Sequence, residues 1–318
     1  FNSSNILLPI INGYRKYMMN DLISKINELE KETLINLGAS KSLNTLKAYR
    51  SDFLDFKNFC AKFGFPILPT DPKSVSLYIT QLSQTSKFST IKRRLASINV
   101  VHRIKGHHLD SKHPIIKENL EGIKRKIGIY QNGKKPLLIN NLYNIIDLIE
   151  QYKVNKYLIS VRDKAIILIG FSGGFRRSEI VNLEKKDLEF VDEGLKIRVT
   201  KSKNDQYGEG MIKAIPYFNN RKYCPVIAIQ DWLQATKIVK DKIFPYSDKT
   251  VSLIVKKYLN LIGLDSSLYS GHSLRSGFAT SVASYGADER SIMTMTGHKS
   301  TEMVRRYIKE ANLFKNNA

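Results

Sequence analysis

Cysteine is almost absent from the 318-residue chain. Cys60 and Cys224 lie far apart in apolar surroundings, so they read as buried reduced thiols of a reducing compartment, not as a disulfide framework. Two cysteines and six histidines offer no zinc-ligand spacing. The nearest approach to a cluster, His102, His107, His108 and His113, falls in a strongly basic stretch and reads as basic surface. Long apolar runs are missing too: none reaches the roughly 18 residues of a spanning helix, and no signal-peptide pattern is found. A membrane protein is thereby set aside and a cytoplasmic one expected. No internal repeat, coiled coil or low-complexity tract points to a solenoid or a disordered tail. Acidic residues are scarce: 29 Asp and Glu stand against 51 Lys and Arg, a net charge of +22 and a pI near 9.8. An imbalance of that size describes a polyanionic partner, and nucleic acid fits it best.

With 42% hydrophobic residues, a chain of this length supports two domains. Residues 1–41 form an extension in which Ile23, Ile26, Leu29 and Leu34 suggest a helix. From 42 to 130 the apolar residues recur at helical spacing. Leu46, Tyr49, Phe53, Phe56 and Phe59 make one stripe; Ile91, Leu95, Ile98, Val101 and His102 make another. Ser89 and Thr90 supply an N-cap signal for the second helix, and Lys92, Arg93, Arg94, Arg103 and Lys105 run through or beside it as candidate phosphate contacts. Residues 131–136 (Gln-Asn-Gly-Lys-Lys-Pro) have the composition of an exposed linker, which places the second domain at 137–318. There the spacing predicts helices over 142–150 and 162–171, a Gly173-Gly174 break, and a helical start over 176–183. Leu195, Ile197 and Val199 alternate with polar residues and are followed by a short β-prone run at 211–215, which predicts a β-hairpin with a long polar tip. From Val251 the pattern is helical again. The expected fold is mainly α with a small antiparallel β-sheet.

The second domain holds, in order, Phe175-Arg176-Arg177-Ser178-Glu179, Lys201-Ser202-Lys203, His272-Ser273-Leu274-Arg275, Gly297-His298 and Tyr307. Singly, each fragment reads as surface or packing. The pairs Arg176/Glu179 and His272/Arg275 are each spaced i, i+3, so each shares a face if its segment is helical. Gly297-His298 marks a turn before the helix of Tyr307.

In these motifs the chain resembles the tyrosine recombinase family, which includes Cre and the Xer proteins. Its pattern is an Arg in a Gly-hydrophobic-Arg-x-Ser-Glu segment, a Lys in a β-hairpin, a His-x-x-Arg segment, a Gly-His or Gly-Trp, and a Tyr nine residues on. The resemblance implies a helical DNA-clamping domain followed by an α+β catalytic domain. It implies a site-specific recombinase that cleaves and rejoins double-stranded DNA through a 3′-phosphotyrosine on Tyr307, without ATP, metal or other cofactor. The absence of a P-loop or acidic metal cluster agrees. It further implies a tetramer on two DNA sites, with room for an accessory protein or partner recombinase, and a segment after the tyrosine that docks on a neighbouring subunit. Here that segment holds Leu313 and Phe314.

The residues themselves point to the same chemistry. Phosphodiester transfer builds negative charge on nonbridging oxygens, which two forked guanidiniums, Arg176 and Arg275, can stabilise. His272 can donate to those oxygens or manage the nucleophile's proton. Tyr307, with an ordinary pKa of about 10, must attack as something close to phenolate, and a cationic pocket favours that form. A lysine on the hairpin tip can protonate the leaving 5′ oxygen; family alignment favours Lys201, with Lys203 two residues away. His298 is expected to support the phosphate or Tyr307, and Glu179 to orient its neighbours. Two other readings compete: a type IB topoisomerase that relaxes DNA at arbitrary sites, and a non-catalytic DNA-binding protein on the same fold.

Overall fold

The computed structural model describes residues 41–129, 133–152, 156–200, 210–238 and 241–313, together with Lys25, Glu28, Leu29, Lys31, Glu32 and Asn36. The expected N-terminal helix therefore lies largely outside the described residues. The chain divides into two compact units, Phe1–Gln131 and Asn132–Ala318. Among the described residues no helix is long and apolar enough to cross a membrane.

The described part of the first unit is helical: α1 (Leu43–Phe63), α2 (Pro72–Ser83), α3 (Phe88–Ile104) and α4 (Pro114–Ile127). Ser42 caps α1 and Asp71 caps α2 by accepting main-chain N–H bonds from Thr45 and Ser74, and proline begins α2 and α4. The apolar stripes meet in one core that includes Phe56, Phe59, Tyr78, Ile79, Ile91, Leu95 and Ile98. Two expectations need correction here. Helix α3 starts at Phe88 behind Lys87, which makes no side-chain cap; Phe88 packs on the core and draws the helix start ahead of Ser89 and Thr90. His102 is no surface residue: it is fully buried, its Nε2 accepting from Thr70 N–H (3.1 Å) and its Nδ1 bonded to Ile98 O (2.9 Å). Burial holds its pKa below the ordinary value, as suits a neutral ring satisfied on both nitrogens.

In the second unit α5 (Ile139–Tyr152), α6 (Tyr157–Ser172) and the short α7 (Arg177–Val181) precede a three-stranded antiparallel sheet of β1 (Leu188–Val191), β2 (Gly194–Val199) and β3 (Met211–Pro216) in that order. Helices α8 (Pro225–Thr236), α9 (Asp248–Leu261), α10 (Ser273–Ser284), α11 (Glu289–Thr296) and α12 (Thr301–Ala311) complete it. Helix α6 is apolar on nearly every side and, apart from half-buried Arg162, buried from Ser160 to Phe171, the behaviour of a central helix. Its one acidic residue, Asp163, is buried and met by Arg162 (2.6 Å), Lys257 (3.2 Å) and the Tyr258 hydroxyl (2.9 Å).

The hairpin forms with Leu195, Ile197 and Val199 inward and Lys196 and Arg198 outward. Strand β1 and helix α8 are additional to the sequence-based expectation. Register pairs Leu195 with Ile215, Ile197 with Lys213 and Val199 with Met211. Strand β2 ends at Val199, so Lys201 and Lys203 lie outside the described residues.

Candidate active site

The most buried helix delivers the first arginine. Helix α6 ends at Ser172, and the chain turns through Gly173 and Gly174, with Gly174 N–H donating to Phe171 O and Phe175 N–H to Gly170 O. Gly174 sits at φ +54°, where a Cβ would also press on Phe278 and Thr296 at 3.1–3.2 Å, so glycine is required for the turn. Phe175 is fully buried and fixes the exit toward Arg176. Arg176 is the residue before α7, not a member of its helical face, and Glu179 folds back on it. The Glu179 carboxylate accepts from Arg176 N–H (2.8 Å) and from Arg176 Nη1 (2.6 Å), while Arg176 Nη2 donates to Gly297 O (3.4 Å). One buried carboxylate thus satisfies an orphan helix donor and sets the guanidinium's direction.

The second arginine comes from the start of α10. His272 stands just before that helix and Arg275 in its first turn. Arg275 is fully buried and its Nη1 donates to Gly174 O at 2.8 Å; among the described residues Nε and Nη2 have no partner. Burial and the nearby Arg176 charge push its pKa down to about 10, an uncommon state for a guanidinium.

Helices α10, α11 and α12 share a small core of Ala279, Ala283, Ile292 and Val304 that also takes the Tyr307 ring. Helix α11 ends at Gly297 in the left-handed conformation (φ +62°), and the reversal leads through His298 into α12. His298 Nδ1 bonds to Thr296 Oγ1 at 2.7 Å, and its ring centre lies 5.9 Å from that of Tyr307. The Tyr307 hydroxyl reaches His272 Nε2 at 3.5 Å.

The electrostatics have one sign. Burial and the charges of Arg275 and Arg176 hold His298 down at about 3 and His272 below its ordinary value, although His272 keeps part of its surface open to solvent. Burial raises Tyr307, against the opposing pull of Arg275 and Arg306. Cations depressed by one another, with Glu179 the acidic residue bonded among them, describe a pocket built for an anion that it does not itself supply.

Of the residues expected at a site, the fold gathers Arg176, Glu179, His272, Arg275, His298 and Tyr307. Lys201 and Lys203 lie outside the described residues. The sequence reading missed Lys213, which is fully buried on β3, its Nζ donating to Gly173 O (2.6 Å) and to Met295 O. The signal was available: Lys213 occupies the inward register of Met211 and Ile215, where the alternation calls for an apolar side chain.

The basic residues of α3 fare unevenly as candidate DNA contacts. Arg93 pairs with Asp52, and Arg94 with Asp55 and the Tyr78 hydroxyl, so both are held by intramolecular partners. Lys92, Arg103 and Lys105 are exposed, and Lys92 lines a groove of about 640 Å³ with Lys87 and Lys124.

Comparison with known proteins identifies the family. The phage integrase family model matches residues 139–313, more than half of the chain. An integrase/recombinase XerD homolog from Selenomonas ruminantium is 41% identical over 297 residues, covering 89% of this chain and 86% of that protein. Tyrosine recombinase XerC of Thermodesulfovibrio yellowstonii is 27% identical over 286 residues, covering 86% and 88%. Among solved structures, XerH recombinase in a post-cleavage complex with a palindromic difH substrate has a TM-score of 0.65 at 17% identity, covering 93% of this chain and 89% of that one. The Tn1549 transposon integrase in complex with transposon right-end DNA has a TM-score of 0.64 at 15% identity, covering 90% and 98%. These two likenesses speak for the fold, and the family follows from the sequence matches: the chain belongs to the phage integrase family, as a site-specific tyrosine recombinase.

Proposed function

We propose that Tyr307 cleaves and rejoins DNA by forming a 3′-phosphotyrosine. The observation that carries this reading is Arg275, a buried guanidinium with two nitrogens that have no partner among the described residues, beside a buried tyrosine. A phosphodiester between Arg275 and Arg176 would satisfy those donors and offset the mutual repulsion of the cations. The Tyr307 oxygen bonds to phosphorus, the bond from phosphorus to the 5′ oxygen breaks, and the 5′ strand leaves as a hydroxyl. His272, kept neutral at pH 7 by its surroundings, is placed to take the tyrosine proton. The leaving oxygen takes its proton from a hairpin lysine, Lys201 or Lys203. Rejoining is the reverse attack of a 5′ hydroxyl on the phosphotyrosine. One ester replaces another throughout, so the reaction needs neither ATP nor metal.

The first unit, with Lys92, Arg103 and Lys105 exposed and Arg93 and Arg94 beside them, contributes DNA phosphate contacts, and the linker at 131–136 joins it to the catalytic domain. Recombination between two sites calls for two protomers on each. A related solved structure is a lambda integrase tetramer bound to a Holliday junction, 16% identical with a TM-score of 0.58, covering 91% of this chain and 78% of that one. The test uses a nicked suicide substrate from a DNA site that the protein binds, incubated with EDTA and no nucleotide. A protein–DNA adduct through the 3′ phosphate, with a free 5′ hydroxyl on the other strand end, is the expected product. Attachment through a 5′ phosphate, or dependence on added metal, would overturn the mechanism.

A further inference from the structure

We propose that Lys213 is a positioning residue for the strand-transfer chemistry, clamping together the two loops that hold Arg176, Arg275 and His298. The proposal rests on the reading of Tyr307 and the two arginines as the cleavage machinery. Lys213 lies on β3 and is fully buried. Its ammonium donates to Gly173 O at 2.6 Å and to Met295 O, and stands over the Phe175 ring at 4.7 Å. These three neighbours account for the reach of one ammonium group.

Each carbonyl that Lys213 grips lies next to an element of the site. The residue after Gly173 is Gly174, whose carbonyl accepts from Arg275 Nη1, and Phe175 leads directly to Arg176. Beyond Met295 stand Thr296, which bonds to His298 Nδ1, and Gly297, whose carbonyl receives Arg176 Nη2. The two segments are far apart in sequence, and β3 brings Lys213 to both at once. The strand is itself one arm of the hairpin with β2, so a single side chain joins hairpin, first-arginine loop and histidine turn.

A core role alone does not explain the residue. Lys213 faces Ile197 across the sheet, between Met211 and Ile215 on the buried face, where an apolar side chain would pack without desolvating a charge. Burial and repulsion from Arg275 and Arg176 bring its pKa down to about 7, with Glu179 opposing them. The bonds of Lys213 run to main-chain carbonyls, which separates it from a group that would hand a proton to substrate.

The experiment compares wild type, Lys213→Met and Lys213→Gln at 20 °C, with circular dichroism melts on each. DNA affinity should stay within about threefold. The single-turnover rate of adduct formation at saturating protein should fall on the order of 100-fold for methionine, as expected when reacting groups lose their placing, and less for glutamine, which keeps a donor. The defect should persist on a substrate with a 5′-bridging sulfur, whose thiolate departs without needing a proton. Cleavage by Lys213→Met within threefold of wild type would overturn the proposal. So would recovery of that variant on the sulfur substrate, which would make Lys213 the proton donor. Loss of fold in both variants at the assay temperature would also overturn it, by assigning Lys213 to stability alone. A wild-type protein that forms no adduct would instead refute the underlying reading, and the proposal with it.

Discussion

Replacing Arg275 with methionine should leave the free protein as stable as wild type, or more so, while removing its activity. Folding pushes the pKa of Arg275 well below the ordinary guanidinium value, to about 10, so at pH 7 the folded site disfavours the guanidinium's charge by about 3 kcal/mol, at about 1.4 kcal/mol per unit. The sign follows from linkage: a base whose folded pKa is depressed opposes folding wherever the unfolded chain binds the proton, which at pH 7 it does fully. Methionine removes that cost and fills comparable apolar space. It also strands the Gly174 carbonyl, a loss of about 1–3 kcal/mol for a buried acceptor. The net change should lie between zero and about 2 kcal/mol in favour of the variant, or a rise in Tm of up to about 8 °C for a unit of this size. Urea and thermal melts measure it. Inorganic phosphate at ten times its Kd should stabilise wild type by about 1.4 kcal/mol and the variant much less. Adduct formation should fall by about 100-fold or more, as for loss of a preorganised transition-state donor. A variant less stable than wild type by over about 3 kcal/mol would show that the free site already compensates the charge at 275, and the argument for an awaited anion would fail.

His298 makes a pH-dependent contribution. Its folded pKa of about 3 lies below the ordinary 6.5, so as pH falls from about 6.5 toward 3 the unfolded chain takes a proton that the folded site refuses, and stability declines through that window. His298→Trp should flatten this acid limb in urea melts at pH 7, 5 and 4, leaving the slope due to His272 and His102, which are also held below their ordinary value; equal slopes would contradict the assignment. DNA affinity should drop steeply with salt, by about 1,000-fold between 50 and 200 mM if six phosphates are neutralised, and a flat titration would speak against phosphate contacts. Deleting residues 312–318 should weaken assembly on paired DNA sites in native gels while leaving the monomer's melt unchanged, since Leu313 is 52% exposed at the end of α12; unchanged assembly would remove the tail from that role.

Much of the site was legible because its residues carry local signals. Gly297 followed by His298 announces a left-handed helix end, and the nine-residue step to Tyr307 spans the turn and the first turns of α12. The inward alternation of Leu195, Ile197 and Val199 gave the hairpin. What the sequence concealed depends on partners distant in the chain. Arg93 and Arg94 read as free cations until α1 brings Asp52 and Asp55 against them. His102 reads as basic surface until Thr70 and Ile98 occupy its two nitrogens. Strand β1, four residues long, is defined by its pairing with β2 more than by its composition. The i, i+3 spacing of Arg176 and Glu179 suggested a shared helix face, whereas the pair is a helix cap, because Gly174 and Phe175 turn the chain just ahead of it.

The most direct test of the account is to isolate the covalent complex formed on a suicide substrate, digest the protein, and identify by mass spectrometry the peptide that carries the nucleotide, with Tyr307→Phe run in parallel. The account predicts a single modified peptide bearing the nucleotide on Tyr307, and no complex from the phenylalanine variant although that variant binds the same DNA. A complex that persists in Tyr307→Phe, or a nucleotide on any other residue, would contradict it.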